Sequence, residues 1–253
     1  MAETAIALLL AHCLADFLFQ TDAMVEGKRS PKILALHIAM VTTASWFLLG
    51  LPPEPWLIAL IGGSHLIIDA IKLRWGGPGF APFFADQSAH LAMIALGATL
   101  FPGAWSAGLW ASPQVLAALP WLAAAPEAML LATGLVATVW AGGYAVAALM
   151  SGVGDGLQEP DEDDSLPRGG RMIGRLERLM ILIMVLSDQT AAIGLLIAAK
   201  SILRFGEATR SRKASEYVII GTLASFGWAI SVTLATLALQ DLLPPLEIGG
   251  TRP

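Results

Sequence analysis

Three histidines and three aspartates stand in pairs four residues apart: His12 with Asp16, His65 with Asp69, and Asp86 with His90. A spacing of four puts both side chains of a pair on one helix face, one turn apart. His37 completes the set, and all four histidines of the chain fall within its first 90 residues. Imidazole and carboxylate are ligands for zinc, manganese and iron, and a bound ion makes a nucleophile of its water at neutral pH. Seven groups (His12, Asp16, His37, His65, Asp69, Asp86 and His90) exceed the needs of one tetrahedral ion. One or two divalent ions fit, zinc before manganese or iron, with the remaining groups orienting histidines. Asp16, Asp69 and Asp86 are the expected catalytic carboxylates. Gln20, one turn further along the face of His12 and Asp16, is expected to position substrate or water. Two other uses of the same residues stay open, a proton or ion relay and a purely structural hydrogen-bond network.

The elements that must hold these groups are apolar. The chain has 253 residues, of which 56% are hydrophobic and only 14% charged, whereas soluble proteins carry roughly 25% charged residues. No charge occurs from Ala128 to Gly154 or from Tyr217 to Gln240. Runs of about 20 apolar residues match the length of a helix crossing about 30 Å of hydrocarbon. The predicted spans cover roughly 4–21, 33–51, 56–73, 84–101, 128–150, 179–199 and 217–240. The expected fold is all-α, a polytopic transmembrane helix bundle of about six or seven spans. Residues 1–101 form a four-helix part that carries the His/Asp cluster. The apolar stretch 102–126, interrupted by prolines, reads as an interfacial or re-entrant connection with Trp105, Trp110 and Trp121 at the headgroup level. Residues 127–253 form a C-terminal transmembrane part with an acidic loop at 155–164 and basic segments on the cytoplasmic side.

Orientation follows from the basic loops. Lys28, Arg29 and Lys32 follow the first span, Lys72 and Arg74 the third, and Arg168, Arg171, Arg175 and Arg178 the fifth. The positive-inside rule places the N-terminus outside and these loops in the cytoplasm. All four N-terminal helices then present their His and Asp residues at one level, toward the cytoplasmic leaflet. The segment 179–199 has basic residues on both flanks, which a full crossing cannot satisfy. It is expected to be a re-entrant hairpin bent near Ser187-Asp188-Gln189, the alternative being an extra crossing hidden in 102–126. Asp188, in the middle of an apolar segment, is a candidate for a polar or catalytic role.

A second set of residues is cationic. Arg175 and Arg178, with Lys200 and Arg204, form stripes that either meet anionic headgroups or hold the phosphate of a substrate. The net charge of −5 comes largely from the acidic segment at 155–164. No basic patch with interleaved aromatics is present, so nucleic acid is not an expected partner. Cys13 is the one cysteine; it points away from the His12 face and reads as packing. The N-terminus lacks the basic start of a cleaved signal and reads as a retained first membrane helix.

The elements HCLADFLFQTD (12–22), His37, HLIIDAIK (65–72) and DQSAH (86–90), with GRMIGRLER (170–178) and EYVIIGTLASF (216–226), resemble a bacterial inner-membrane family, domain of unknown function 3307. More loosely, the pattern is similar to the LexA-regulated family of membrane-bound metal-dependent hydrolases. The first resemblance implies the bacterial inner membrane and no activity. The second implies a hydrolase by analogy. The expected function is a metal-dependent hydrolase acting on an amphiphilic, phosphate-bearing or lipid substrate from the cytoplasmic leaflet. A proton- or metal-ion-translocating channel or transporter and a non-catalytic scaffold are the alternatives. The expected partners are the lipid bilayer and that substrate, and a homo-oligomer is compatible with the sequence.

Overall fold

In a computed structural model the chain is described over residues 1–153, 169–208 and 212–243, apart from the side chains of 203–208 and 214. The acidic loop at 155–164 lies outside the described residues. All regular structure among the described residues is helical.

The N-terminal helices are α1 (Ala2–Cys13), continued by a π-helical turn at Leu14–Phe19, α2 (Asp22–Gly27), α3 (Pro31–Leu48), α4 (Pro55–Trp75) and α5 (Phe80–Leu100). Proline opens α3 and α4, where its missing N–H is no loss and its fixed φ suits the first turn. The Thr21 side chain caps α2 by accepting from the backbone N–H of Met24. The turn after α3 passes through Gly50 (φ 81°) and Leu51 (φ 54°), and a Cβ on Gly50 would meet Trp110 and Leu109. The connection 102–119 holds only turns, a short 3₁₀ turn at Leu109–Ala111 and α6 (Pro113–Ala118). It hides no crossing. After a 3₁₀ turn at Pro120–Ala124 come α7 (Ala125–Val136), a second π-helical turn at Ala137–Ala141, and α8 (Gly142–Met150). The remaining helices are α9 (Gly169–Leu186), α10 (Ala191–Ala208) and α11 (Arg212–Gln240).

By length and composition, five helical stretches among the described residues can cross a membrane: Ala2–Phe19, Pro31–Leu48, Pro55–Trp75, Pro120–Met150 and Ser215–Gln240. This is a membrane protein. Two of the expected spans are missing from that set, each for a physical reason. α5 is long enough, but Asp86, Gln87, Ser88 and His90 lower its hydropathy. The segment 179–199 is broken after Leu186, where Asp188 adopts φ 55° at an exposed turn. Glu177 and Lys200, almost equidistant from that turn, meet at 2.6 Å, so α9 and α10 run antiparallel as a hairpin. The bend falls where the sequence placed it. Asp188 sits at the tip and not in an apolar interior.

The contacts divide the chain into two units. One comprises Met1–Gly76, Ala85–Thr133 and the residues from Ala238 on; the other comprises Gly77–Phe84 and Gly134–Leu237. The first has a core in which Leu8 of α1, Val41 of α3, Leu57 and Ile61 of α4, Ile94 of α5 and Leu130 of α7 meet. In this core α3 and α4 approach closely because residue 62 is glycine. A Cβ there would collide with the methyl group of Thr42, whereas Gly63 has open space. The second unit has its own core of Ile181, Val185, Ile193, Phe226 and Ala229.

Candidate metal centre

All seven His and Asp residues of the sequence pattern come together inside the first unit. His37 is fully buried, and His12, His65, Asp69, Asp86 and His90 are buried with it. The Asp16 side chain is 8% exposed. Each helix contributes for a local reason. α4 carries Gly62 one turn before His65, which lets His65 approach His37 on α3. The Nε2 atoms of these two histidines are 3.0 Å apart. The π-helical turn places Asp16 so that its Oδ1 lies 3.3 Å from His37 Nε2 and 3.3 Å from His65 Nε2. Its Oδ2 lies 3.8 Å from His12 Nδ1. Single π turns inside α-helices recur at functional sites.

The second half of the cluster lies between α4 and α5. His90 Nε2 is 3.8 Å from Asp69 Oδ1 and 3.7 Å from Asp86 Oδ1. The rings of His65 and His90 stack with centroids 4.1 Å apart. Asp69 therefore faces both halves, because its Oδ2 lies 3.5 Å from His37 Nε2.

Two lysines close the cluster. Lys28, buried at the C-terminal end of α2, donates to Asp69 Oδ2 at 2.8 Å. Lys72 of α4, 46% exposed, donates to Asp86 Oδ2 at 2.6 Å. Each thereby compensates one buried carboxylate. Among the described residues Asp16 has no cationic side chain beside it other than imidazole. The uncompensated charge thus falls where three histidines converge.

Among the described residues, five side-chain atoms of the cluster are buried without a hydrogen-bond partner: His12 Nδ1, Asp16 Oδ1, His37 Nδ1, Asp86 Oδ1 and His90 Nε2. Leaving a buried polar atom unpaired costs roughly 1–3 kcal/mol, more for a charge. Asp16 Oδ1 is close to two histidine nitrogens and yet lacks hydrogen-bond geometry with either. The two histidine nitrogens beside it lie within hydrogen-bond distance of each other. The three edges of the Asp16–His37–His65 triangle, 3.0, 3.3 and 3.3 Å, also match the separation of about 3.3 Å between ligands of a tetrahedral ion with bonds near 2.0 Å. Buried triads with metal-ligand spacing are Asp16/His37/His65, His12/His65/His90 and Asp69/Asp86/His90.

The other expected site residues do not join this cluster. Gln20 is the residue at which the π turn ends, with ψ 105°, so the chain has left the helix there and the stripe of His12 and Asp16 stops short of it. Among the described residues its side chain has no hydrogen-bond partner. Gln87 instead reaches the cluster, with its Oε1 3.1 Å from His12 Nε2 and its Nε2 donating to Asp86 Oδ2 at 3.0 Å. Arg175, Arg178 and Lys200 belong to the second unit, and each already has a contact within it. Arg178 donates to the Val139 carbonyl through Nε (3.2 Å) and Nη2 (2.8 Å) and to Ser225 through Nη1 (3.2 Å). Lys200 pairs with Glu177, and the Arg175 guanidinium lies 6.0 Å from the centre of the Trp140 ring. The side chain of Arg204 lies outside the described residues. Cys13 is buried and free.

Gln87, Lys28 and Lys72 are the site residues that spacing did not reveal. Both lysines stood in the sequence as loop charges that set orientation. The available signal was their position at the ends of helices carrying buried aspartates, from which a long side chain can reach back.

Residues 4–116 match the model of a family described as Protein of unknown function (DUF3307). No curated protein and no solved structure matches the chain. The matched region contains every member of the His/Asp cluster together with Lys28, Lys72 and Gln87, and none of the cationic residues of the second unit.

Proposed function

We propose that residues 4–116, the stretch that matches the DUF3307 model, form a membrane-embedded metal centre whose ion activates water for hydrolysis of an amphiphilic substrate. The observation that carries this reading is the triangle of Asp16 Oδ1, His37 Nε2 and His65 Nε2, three buried atoms at ligand-to-ligand spacing, with Asp16 Oδ1 hydrogen-bonded to neither histidine. Charge points to a single ion. Lys28 and Lys72 offset two of the three aspartates, leaving one negative charge. One divalent ion with a bound hydroxide brings the cluster to neutrality, which a low-dielectric interior favours. A second ion would leave it strongly positive. Zinc suits the nitrogen and oxygen donors.

His12, Asp16, His37 and His65 would then hold the ion, with Asp69 in reach as a further ligand. The ion, when bound, would supply a nucleophilic hydroxide. Asp86 and His90, close to each other and partly unpaired, would take and return the proton of the attacking water. The substrate is placed in the bilayer by the helices that carry the site. The phosphoester expected from the sequence is the ester to assay first, although Arg175, Arg178 and Lys200 have contacts of their own in the second unit. The location proposed is the bacterial inner membrane, with the N-terminus outside and the Lys28 and Lys72 ends of the helices toward the cytoplasm.

One observation supports the translocation alternative. Trp56 and Trp75, 77% and 73% exposed, mark the two ends of α4, about 29 Å apart along the helix axis. His65 lies midway between them. With the two tryptophans at the interfaces, the cluster would extend from the Lys72 end to the middle of the bilayer, and its imidazoles could pass a proton.

The test is metal analysis of protein purified without chelator, followed by assays of the same preparations. The wild type should hold about one zinc per chain, His65→Ala should hold less, and both His65→Ala and Asp86→Ala should lose cleavage of phosphoester lipid analogues. Metal-free wild type overturns the metal centre. Full metal without cleavage, but with metal-dependent proton flux into vesicles, overturns the hydrolase in favour of translocation.

A further inference from the structure

The amide of Gln87 joins two members of the cluster, and its chemistry fixes which nitrogen of His12 carries the proton. The Gln87 nitrogen lies 3.0 Å from Asp86 Oδ2. A carboxylate oxygen only accepts, so the amide nitrogen must be on that side and donate to it. The amide oxygen is thereby committed to the other side, 3.1 Å from His12 Nε2. An amide oxygen also only accepts. His12 Nε2 must therefore bear the hydrogen, and in a neutral imidazole the lone pair is left on Nδ1. That atom is buried with no hydrogen-bond partner, 3.8 Å from Asp16 Oδ2. Lys72, donating to the same Asp86 oxygen at 2.6 Å, anchors the far end of the chain Lys72–Asp86–Gln87–His12.

We propose that Gln87 is a positioning residue that holds His12 in the Nε2–H tautomer and so presents His12 Nδ1 as a metal donor, whereas His37 and His65 bind through Nε2. The proposal rests on the metal centre argued above. Ligating histidines commonly donate their other N–H to a neighbouring acceptor, which sets ring orientation and raises ligand basicity. Here the acceptor is an amide oxygen, and it is held in turn by Asp86. The short helical reach from His12 to Asp16 makes Nδ1, the ring nitrogen nearer the backbone, the atom able to share an ion with that carboxylate.

The experiment is ¹⁵N NMR of histidine-labelled protein in nanodiscs, with the His12 resonances assigned by a His12→Asn variant and zinc affinity measured on the same samples. Metal-free wild type is expected to show a protonated Nε2 and a lone-pair Nδ1 at His12, and added zinc should shift Nδ1. In Gln87→Leu the His12 tautomer should become mixed and zinc affinity should fall roughly 10- to 100-fold, as for other loss of support behind a metal ligand. A His12 protonated at Nδ1 in the wild type, or a tautomer unchanged in Gln87→Leu, overturns the assignment. A wild type with the stated tautomer that takes up no zinc overturns the metal centre instead, so the two failures are read apart.

Discussion

The Nε2 atoms of His37 and His65 lie 3.0 Å apart, and Asp16 Oδ1 lies 3.3 Å from each of them. Two imidazoles and one carboxylate from three different helices are thus held at a spacing that suits the ligands of one ion. This triangle depends on the close approach of α3 and α4, on the π turn that aims Asp16, and on lysines that leave Asp16 as the uncompensated aspartate.

Asp16→Asn separates a metal site from a structural network. The substitution is nearly isosteric and removes a buried charge that no lysine or arginine offsets. Metal-free Asp16→Asn is therefore expected to unfold at or above the temperature of metal-free wild type, a gain on the order of 1–3 kcal/mol. Zinc at 100 times its dissociation constant should stabilise the wild type by about 2.7 kcal/mol and the variant hardly at all. Thermal unfolding in detergent with and without zinc checks both. A loss of stability in the metal-free variant would show that Asp16 serves a hydrogen-bond network.

Lys28 and Lys72 make similar contacts to Asp69 and Asp86, but their surroundings differ. The Lys28 side chain is 10% exposed and that of Lys72 is 46% exposed. Removing one partner of a buried pair leaves an uncompensated charge and costs about 3–5 kcal/mol, whereas an exposed pair is worth roughly 0–1 kcal/mol. Asp86 is itself buried, so Lys72→Met should fall between these limits, well below Lys28→Met. Melting temperatures of the two variants give the order directly. Equal losses would show that water reaches both pairs alike.

Much of this site was legible because a helix converts spacing into a face. The His12/Asp16, His65/Asp69 and Asp86/His90 pairs lie as a four-residue period requires, and His37 joins them. What the period could not carry was the helix's departure from it. The π turn at Leu14–Phe19 ends the helix one residue before Gln20, so the residue expected on the stripe is off it, and Gln87, adjacent in sequence to Asp86, supplies the amide. The lysines were hidden for another reason. Their backbone positions belong to the ends of helices, and only the reach of a four-carbon side chain brings them to buried aspartates. In the hairpin the basic flanks of 179–199 signalled the break at Ser187–Gln189. Nothing in the spacing of Arg178 indicated that its partner would be a backbone carbonyl.

Gly62 and Gly63 are adjacent, yet they should respond in opposite ways. A Cβ at 62 would collide with Thr42, whereas one at 63 meets nothing within 4 Å. Gly62→Val is expected to push α3 and α4 apart, lower stability by about 1–3 kcal/mol and weaken zinc binding by separating His37 from His65. Gly63→Ala should leave zinc affinity unchanged and the melting temperature the same or slightly higher, since alanine is the better helix former. Zinc titration and thermal unfolding of both variants test the pair. Matching behaviour at the two positions would mean that helix approach does not set the site.

Arg178 offers a prediction confined to the second unit. Its guanidinium is buried and donates twice to the Val139 carbonyl and once to Ser225, with Gly142, Gly143 and Gly174 around it where a Cβ would crowd the group. Val139 lies in the π-helical turn Ala137–Ala141, where the shift from i→i+4 to i→i+5 bonding frees a carbonyl from the helix ladder. The arginine thus satisfies a backbone group that lipid could not. Arg178→Lys keeps the charge but loses the fork that serves Val139 and Ser225 together. It is expected to lower stability by about 1–3 kcal/mol, the cost of a buried polar group left unpaired. Zinc uptake, which rests on residues of the first unit, should be unchanged. Thermal unfolding and metal analysis of Arg178→Lys check the two halves, and a variant with wild-type stability would show that the π turn needs no side-chain donor.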